Sequence, residues 1–372
     1  MMAARRPELS PGDPISAIET PALIVDLDAL EANLQAMADF AKAHGVRLRP
    51  HGKTHKSAVI GKRQMALGAV GLCCQKVGEA EALVAGGVTD VLVTNEVLGR
   101  TRLARLAALT AKARIGICVD SDLGLAQLIE AAAAAPKPID AYVELDVGAG
   151  RCGVIRIEDA VALAARINDA AGLRFGGIHA YHGMAQHLRT PQERKAAIDF
   201  AAGRVTELVA ALAARGIKVP VVTGAGTGSF PIEAASGVYN EIQPGSYVFM
   251  DRDYADNVPD PMSPRFRHSL FVLTAVMSRR ADFAVIDAGL KAHSVDSGYP
   301  TIFGRPDLSF DSPSDEHGVL RGATAALPAL EERLRLIPGH CDPTVNLHDW
   351  IIALRGDRVA EIWPVDGRGA LT

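Results

Sequence analysis

The chain has 372 residues, 48 % hydrophobic, 22 % charged and 5 % aromatic, with 39 basic against 43 acidic side chains and a formal net charge of -4. This composition excludes a disordered protein and gives enough length for one large core plus a smaller one. It offers no basic surplus for nucleic acid, and no apolar run approaches the roughly 18 residues of a membrane span.

The start, Met1 to Glu8, has charge but no apolar stretch behind it, so it reads as no secretory signal. The five cysteines are few and odd in number, Cys73 and Cys74 adjacent and Cys118, Cys152 and Cys341 scattered, which fits reduced thiols in the cytoplasm. A short apolar run, Ala22–Leu27, reads as a strand able to pair with a later sheet. Residues 46–250 then alternate short β-prone runs with Ala/Leu-rich stretches of helical length. The predicted strands are 46–53, 69–75, 90–95, 113–120, 141–147, 174–181, 219–223 and 241–248. The predicted helices among them cover 76–85, 98–111, 122–135 and 191–215, the last with Pro191 suited to a first turn. Eight strands alternating with helices predict a parallel α/β sheet closed into an eight-stranded (β/α)8 TIM-like barrel, an open doubly wound sheet being the alternative.

The texture changes after Pro259. Runs at 270–277, 283–288, 334–337 and 357–363 are strand-like, with one helix-like stretch at 324–332. A polar, turn-rich segment of about 23 residues, 296–318, reads as a long functional loop. The expected organisation is an N-terminal segment, 1–20, joining the β-domain, an α/β barrel over 21–259, and a β-rich C-terminal domain over 260–372.

Chemistry concentrates at the ends of the predicted strands, where a barrel holds its active site. The first strand ends in Arg49-Pro50-His51-Gly52-Lys53-Thr54-His55-Lys56. A lysine there can form a Schiff base, and basic neighbours would keep its amine partly neutral; the same run also suits a basic surface loop. Glycine-rich ends at Gly148–Gly153, Gly224–Ser229 and Gly245-Ser246 suit a phosphate, or simply turns that need glycine. Neither of the first two matches a nucleotide-binding pattern. His179, His182 and His187 cluster after another strand. His340 and Asp342, two apart, share one face of an extended segment with Cys341 pointing away, a spacing that can bind a metal but that a two-residue motif also shows without one. Carboxylate plus imidazole suits Mn²⁺ or Mg²⁺ better than structural zinc.

Together these segments resemble the D-threonine aldolase and D-serine dehydratase family, which has the alanine-racemase type (fold type III) of pyridoxal phosphate fold. The resemblance rests on Pro21–Leu30 with Asn33, Arg49–Lys56, Cys73–Lys76 and Asp146–Gly148 with Arg151–Gly153. It continues through Ala180–Gly183 with Gln186-His187, Gly226–Gly228 and Gln243–Tyr247, then Asp287–Gly289, Asp315–Gly318 and Pro338–Asp342. It implies a barrel followed by a β-domain, working as a homodimer, with Lys53 holding pyridoxal 5'-phosphate as an aldimine. By the same resemblance Gly226, Thr227, Gly228, Gly245 and Ser246 bind the phosphate, and Arg151 and Tyr181 flank the ring. Gln243 stands where alanine racemases carry an arginine at the ring nitrogen.

Position 342 separates branches of the family. Dehydratases carry His-x-Cys and bind zinc, whereas aldolases carry His-x-Asp and use a divalent cation. Here the pair is His340 and Asp342, and Cys341 does not match the zinc ligand. The resemblance therefore implies retro-aldol cleavage of a small β-hydroxy-D-amino acid, D-threonine giving glycine and acetaldehyde. A metal (Mn²⁺, with Mg²⁺ or Co²⁺ as alternatives) would act on the β-hydroxyl and His187 would take its proton. Asp315 resembles an acidic residue near that metal. The competing readings are a D-serine or β-hydroxy-D-amino-acid dehydratase and a non-catalytic pyridoxal phosphate carrier. The C-terminal β-domain argues against the carrier.

Overall fold

The computed structural model describes residues 5–372. Residues 1–4, part of the start that reads as no signal and of the expected segment 1–20, lie outside the described residues. Two sheets organise the chain. The first is parallel and eight-stranded: β2 (Arg47–Leu48), β3 (Leu72–Cys74), β4 (Asp90–Glu96), β5 (Arg114–Val119), β6 (Ile139–Glu144), β7 (Leu173–His179), β8 (Val222–Gly224) and β9 (Glu241–Ile242). Their order runs β2-β9-β8-β7-β6-β5-β4-β3. A bridge from His51 to Cys73 joins the two ends, with Gly52 N–H donating to Cys73 C=O at 2.7 Å and Cys73 N–H to Pro50 C=O at 2.8 Å. The ring closes, which decides for the barrel over the open sheet. All eight predicted strands take part, although several stop early. Pro50 and Pro244 lack the N–H that a ladder needs, and they end β2 and β9 before the predicted bounds.

Helices α1 (Leu27–Ala43), α2 (Ala58–Ala66), α3 (Val77–Ala85), α4 (Arg100–Leu109), α5 (Asp122–Ala132), α6 (Ile157–Asp169), α7 (Pro191–Ala213) and α8 (Phe230–Ala235) accompany these strands. The Asp26 carboxylate caps α1 by accepting from Ala29 N–H at 2.9 Å. Thr190 and Glu193 form a reciprocal capping box around Pro191 at the start of α7, satisfying donors that a helix start leaves orphaned. The helices bury an apolar stripe, including Leu83, Leu106, Leu128 and Leu208, against the outside of the sheet. Cys73, Leu92, Cys118, Tyr142 and Val221 fill the inside. Gly177 is a required glycine, because its φ is +134° and a Cβ would lie 1.9 Å from Val221 C=O across the β7–β8 contact.

The second sheet holds β1 (Ala22–Asp26), β10 (Leu270–Arg279), β11 (Phe283–Ile286), β12 (Thr301–Ile302), β13 (Leu308–Pro313), β14 (Gly318–Gly322), β15 (Arg333–Ile337), β16 (Trp350–Arg355) and β17 (Arg358–Pro364). The first strand of the chain lies inside this sheet, antiparallel to β10 and parallel to β16. Two short helices complete the count, α9 (Arg252–Ala255) and α10 (Cys341–Val345). An apolar core that includes Leu30, Phe230, Phe249, Leu270 and Leu336 runs from α1 and the barrel into this sheet.

Two sequence expectations fail here. The stretch 324–332 is turn and irregular structure, not helix: Pro328 interrupts it and Glu331 has φ +66°. The supposed loop 296–318 contains β12 and β13. In β13 Leu308 and Phe310 face inward while Ser309 and Asp311 face solvent, so the polar composition concealed a period-two strand. No helix among the described residues is long and apolar enough to cross a membrane. All five cysteines are free thiols, four of them buried.

Candidate active site

A cavity of about 260 Å³ opens where the barrel strands end, lined by Lys53, Thr54, Arg151, Tyr181, Thr227 and Ser246 among others. The structure thus gathers most of the sequence-predicted cofactor residues, separated by up to two hundred positions in the chain, around one space. Lys53 follows β2 and its Nζ donates to Asp342 Oδ2 at 2.6 Å. Asp342 belongs to α10 of the second sheet's region. Burial alone would lower the Lys53 pKa, but the Asp342 carboxylate outweighs it and holds the amine above its ordinary value. Burial likewise disfavours the Asp342 carboxylate, yet the Lys53 ammonium brings its pKa down to about 2. The expectation that basic neighbours keep Lys53 partly neutral is therefore corrected. Burial keeps His51 and His55 neutral by lowering their pKa values. Lys56 Nζ is engaged by Glu79 at 3.1 Å, and Arg49 is locked between Asp90 and Glu241. The motif is an interior joint, not a basic surface loop.

The glycines of the predicted phosphate loop are needed for close approach. A Cβ on Gly226 would meet Gln186 Oε1 at 2.4 Å, one on Gly228 the Gln186 C=O at 2.5 Å, and one on Gly245 Thr54 Oγ1 at 2.7 Å. Thr227 Oγ1 accepts from Tyr247 N–H at 3.1 Å, which ties the two loops together. Arg151 lies over the Tyr181 ring, with Cζ 5.7 Å from its centroid. Thr54 Oγ1 is buried without a partner. A primary amine, an arginine on a tyrosine ring, hydroxyls and tight glycine turns fit an aromatic aldehyde carrying a phosphate.

Glu233 lies behind this loop, fully buried, and accepts from Ser229 Oγ at 2.7 Å. Burial pushes its pKa up to about 7. A raised carboxyl pKa stabilises the fold below the unfolded value near 4.5 and loses that contribution as pH climbs through about 7. Glu233→Gln is therefore expected to flatten the fall in melting temperature between pH 5 and 8. A wild-type slope unchanged in the variant would refute the assignment.

The pair read from the sequence as metal ligands takes a different local form from the one expected. His340 is extended (φ -144°), but it is the N-cap of α10, and Asp342 lies in the first helical turn. Pro343 is tolerated in that turn. Cys341 is buried and its N–H donates to Asp251 Oδ2 at 3.0 Å. Asp342 Oδ1 is buried without a partner. His340 Nδ1 is bonded to Asp296 Oδ2 at 2.7 Å, which orients the ring and leaves Nε2 for a ligand, the usual support of a metal-binding histidine. An unpartnered carboxylate oxygen beside a carboxylate-oriented imidazole fits a hard or borderline divalent cation. Asp315 is exposed and faces Lys291 at 4.0 Å, whereas Asp296 is the carboxylate that contacts His340. Another group, Cys118, Glu144 and His179, also has ligand spacing inside the barrel, but its imidazole is engaged by Glu144 and Gln243.

His187 is half exposed, with Nδ1 bonded to Asp253 Oδ2 at 2.6 Å; Arg189 donates to the other oxygen of Asp253 at 2.6 Å. Its ring centroid is 5.9 Å from that of Tyr254, which lines the cavity. Sequence reasoning missed Tyr254, and it missed the cluster in which His51 Nε2 meets Thr94 Oγ1 at 3.0 Å and Gln75 Nε2 at 2.9 Å. These side chains come from separate strand ends and share no local motif.

Comparison with known proteins shows the family. The family described as alanine racemase, N-terminal domain, matches residues 25–253, and the putative serine dehydratase domain matches residues 269–354. The chain is 48 % identical over 367 residues to a 3-hydroxy-D-aspartate aldolase of Paracoccus denitrificans (strain Pd 1222), covering 96 % of this chain and 94 % of that one. It is 47 % identical over 368 residues to a D-threonine aldolase of Arthrobacter sp, covering 98 % and 96 %. The crystal structure of D-threonine aldolase from Filomicrobium marinum superposes with a TM-score of 0.96 at 50 % identity, covering 98 % of this chain and all of that one.

Proposed function

The chain belongs to the family of the alanine racemase N-terminal domain, here joined to a serine dehydratase domain, and on that premise we propose that it is a D-threonine aldolase acting on β-hydroxy-D-amino acids. The observation that carries the proposal is the 2.6 Å contact between Lys53 and Asp342, 289 positions apart. It puts an amine able to hold pyridoxal phosphate beside a carboxylate able to hold a metal.

In this reading Lys53 anchors the cofactor, and Gly226, Thr227, Gly228, Gly245 and Ser246 hold its phosphate. Tyr181 and Arg151 would flank the ring, and Gln243 would stand near its nitrogen. Bound pyridoxal phosphate supplies the sink for the electron pair released when Cα–Cβ breaks. His340 and Asp342 would hold a divalent cation, Mn²⁺ in our reading, which acts as a Lewis acid toward the substrate hydroxyl. His187 Nε2 accepts the hydroxyl proton, because Asp253 occupies Nδ1 and stabilises the imidazolium that results. We also read the enzyme as a cytoplasmic homodimer, as the resemblance implies.

Incubation with D-threonine, pyridoxal phosphate and Mn²⁺ tests the proposal, with L-threonine as control. Glycine and acetaldehyde support it; 2-oxobutyrate and ammonia would make the protein a dehydratase instead. His187→Asn is expected to lower kcat by about 10²–10⁴-fold with the cofactor still bound. A variant with wild-type kcat would remove His187 from proton transfer.

A further inference from the structure

The barrel interior behind Gln243 holds charged groups that the proposed chemistry does not use. His179, at the end of β7, is 1 % exposed, and Glu144, at the end of β6, is 3 % exposed. His179 Nδ1 lies 3.2 Å from Glu144 Oε2. On the other side of the ring, Nε2 lies 3.2 Å from Gln243 Oε1. The amide of Gln243 is set by its other end, where Nε2 donates to Thr223 Oγ1 at 2.7 Å. One imidazole therefore stands between two acceptors. Nδ1 is within ion-pair distance of the Glu144 carboxylate but makes no aligned hydrogen bond to it, so an imidazolium would be met by a negative charge on one side and by the Gln243 acceptor on the other.

The surroundings agree. Burial lowers the His179 pKa, but the Glu144 carboxylate overrides it and leaves the value raised. Burial and the Glu144 charge push Glu96 up to about 7, so Glu144 is the more acidic of the two carboxyls. Burial leaves Cys118 a thiol and His51 neutral. Of the groups around the imidazole, Glu144 carries the compensating charge. The pair is a dipole with its positive end toward Gln243 and the cavity.

We propose that Glu144 and His179 form a buried ion pair whose imidazolium, acting through Gln243, keeps the cofactor's ring nitrogen unprotonated. The inference rests on the cofactor placement proposed above. A cation fixed behind Gln243 disfavours a second positive charge on the ring. Both act through Gln243 and are positioning residues, although His179 also forms part of the cavity wall.

Two nitrogen NMR measurements test this. In the cofactor-free protein, ¹⁵N-histidine spectra at neutral pH are expected to show His179, assigned by its loss in His179→Asn, protonated at both nitrogens. In Glu144→Gln that signal is expected to become neutral. With ring-¹⁵N pyridoxal phosphate bound, the wild-type nitrogen is expected at the unprotonated position. In Glu144→Gln its proton affinity is expected to rise about tenfold or more, read as a pKa increase of about one unit. A neutral His179 in the wild type, a wild-type pyridinium, or a ring nitrogen indifferent to Glu144→Gln overturns the inference. The wild-type spectra decide even if the variant does not fold. Failure of the wild type to bind the labelled cofactor overturns the functional reading as well, whereas a bound cofactor with a pyridinium nitrogen overturns this inference alone.

Discussion

Lys53→Ala is expected to lose the visible absorption of lysine-held pyridoxal phosphate and to bring glycine release from D-threonine to background. Removing a covalent residue from a set that acts as a unit costs on the order of 10⁶ in kcat. No nearby amine can replace it. Lys56, three positions on, is held by Glu79, by Asn346 Oδ1 at 2.8 Å and by Gly367 C=O at 3.2 Å. The fold should survive, because the Lys53 side chain keeps 39 % of its accessible surface and its ion pair is partly solvated. Circular dichroism and the melting temperature check that point. If the band persists in Lys53→Ala and disappears in Lys56→Ala, the anchoring role passes to Lys56.

Asp342→Ala is expected to weaken Mn²⁺ binding by more than about 10–100-fold, the loss usually caused by removing only an outer-shell partner. Asp296→Ala should fall within that range, since it only orients His340. Asp315→Ala should change nothing, given its exposed place beside Lys291. Paramagnetic resonance of free Mn²⁺ measures all three, and a chelator should stop turnover in the wild type. Turnover indifferent to both the chelator and Asp342→Ala would remove the metal from the reaction.

These two residues also show what the sequence can reveal. Lys53 is legible because its neighbours form a continuous motif, and the barrel is legible because strand and helix textures alternate with clear periods. Asp296 is not legible. It meets His340 across 44 positions, inside a polar segment that reads as loop because β12 and β13 have few apolar residues. The same limit hides the His51, Gln75 and Thr94 cluster, whose members approach only after the barrel closes. His340 and Asp342 were readable as a pair, but not their helical setting. Two residues cannot display a period, and Pro343 is compatible with an extended segment as well as with a first turn. Composition also misled at 324–332, where several alanines suggested a helix and one proline prevented it.

The strand β1 has a consequence for how the chain reaches its native state. Ile24 pairs with Ile352, so one of the first segments to leave the ribosome cannot complete its pairing until nearly the whole chain exists. At about 5–20 residues per second of synthesis, that wait is on the order of tens of seconds. During it an apolar strand has edges open to other chains. The barrel strands pair mostly with sequence neighbours and can form meanwhile. Apart from the β2–β9 pair that closes the barrel, high contact order is concentrated at β1, and slow or aggregation-prone expression should trace to β1 and its late partners before it traces to the rest of the barrel.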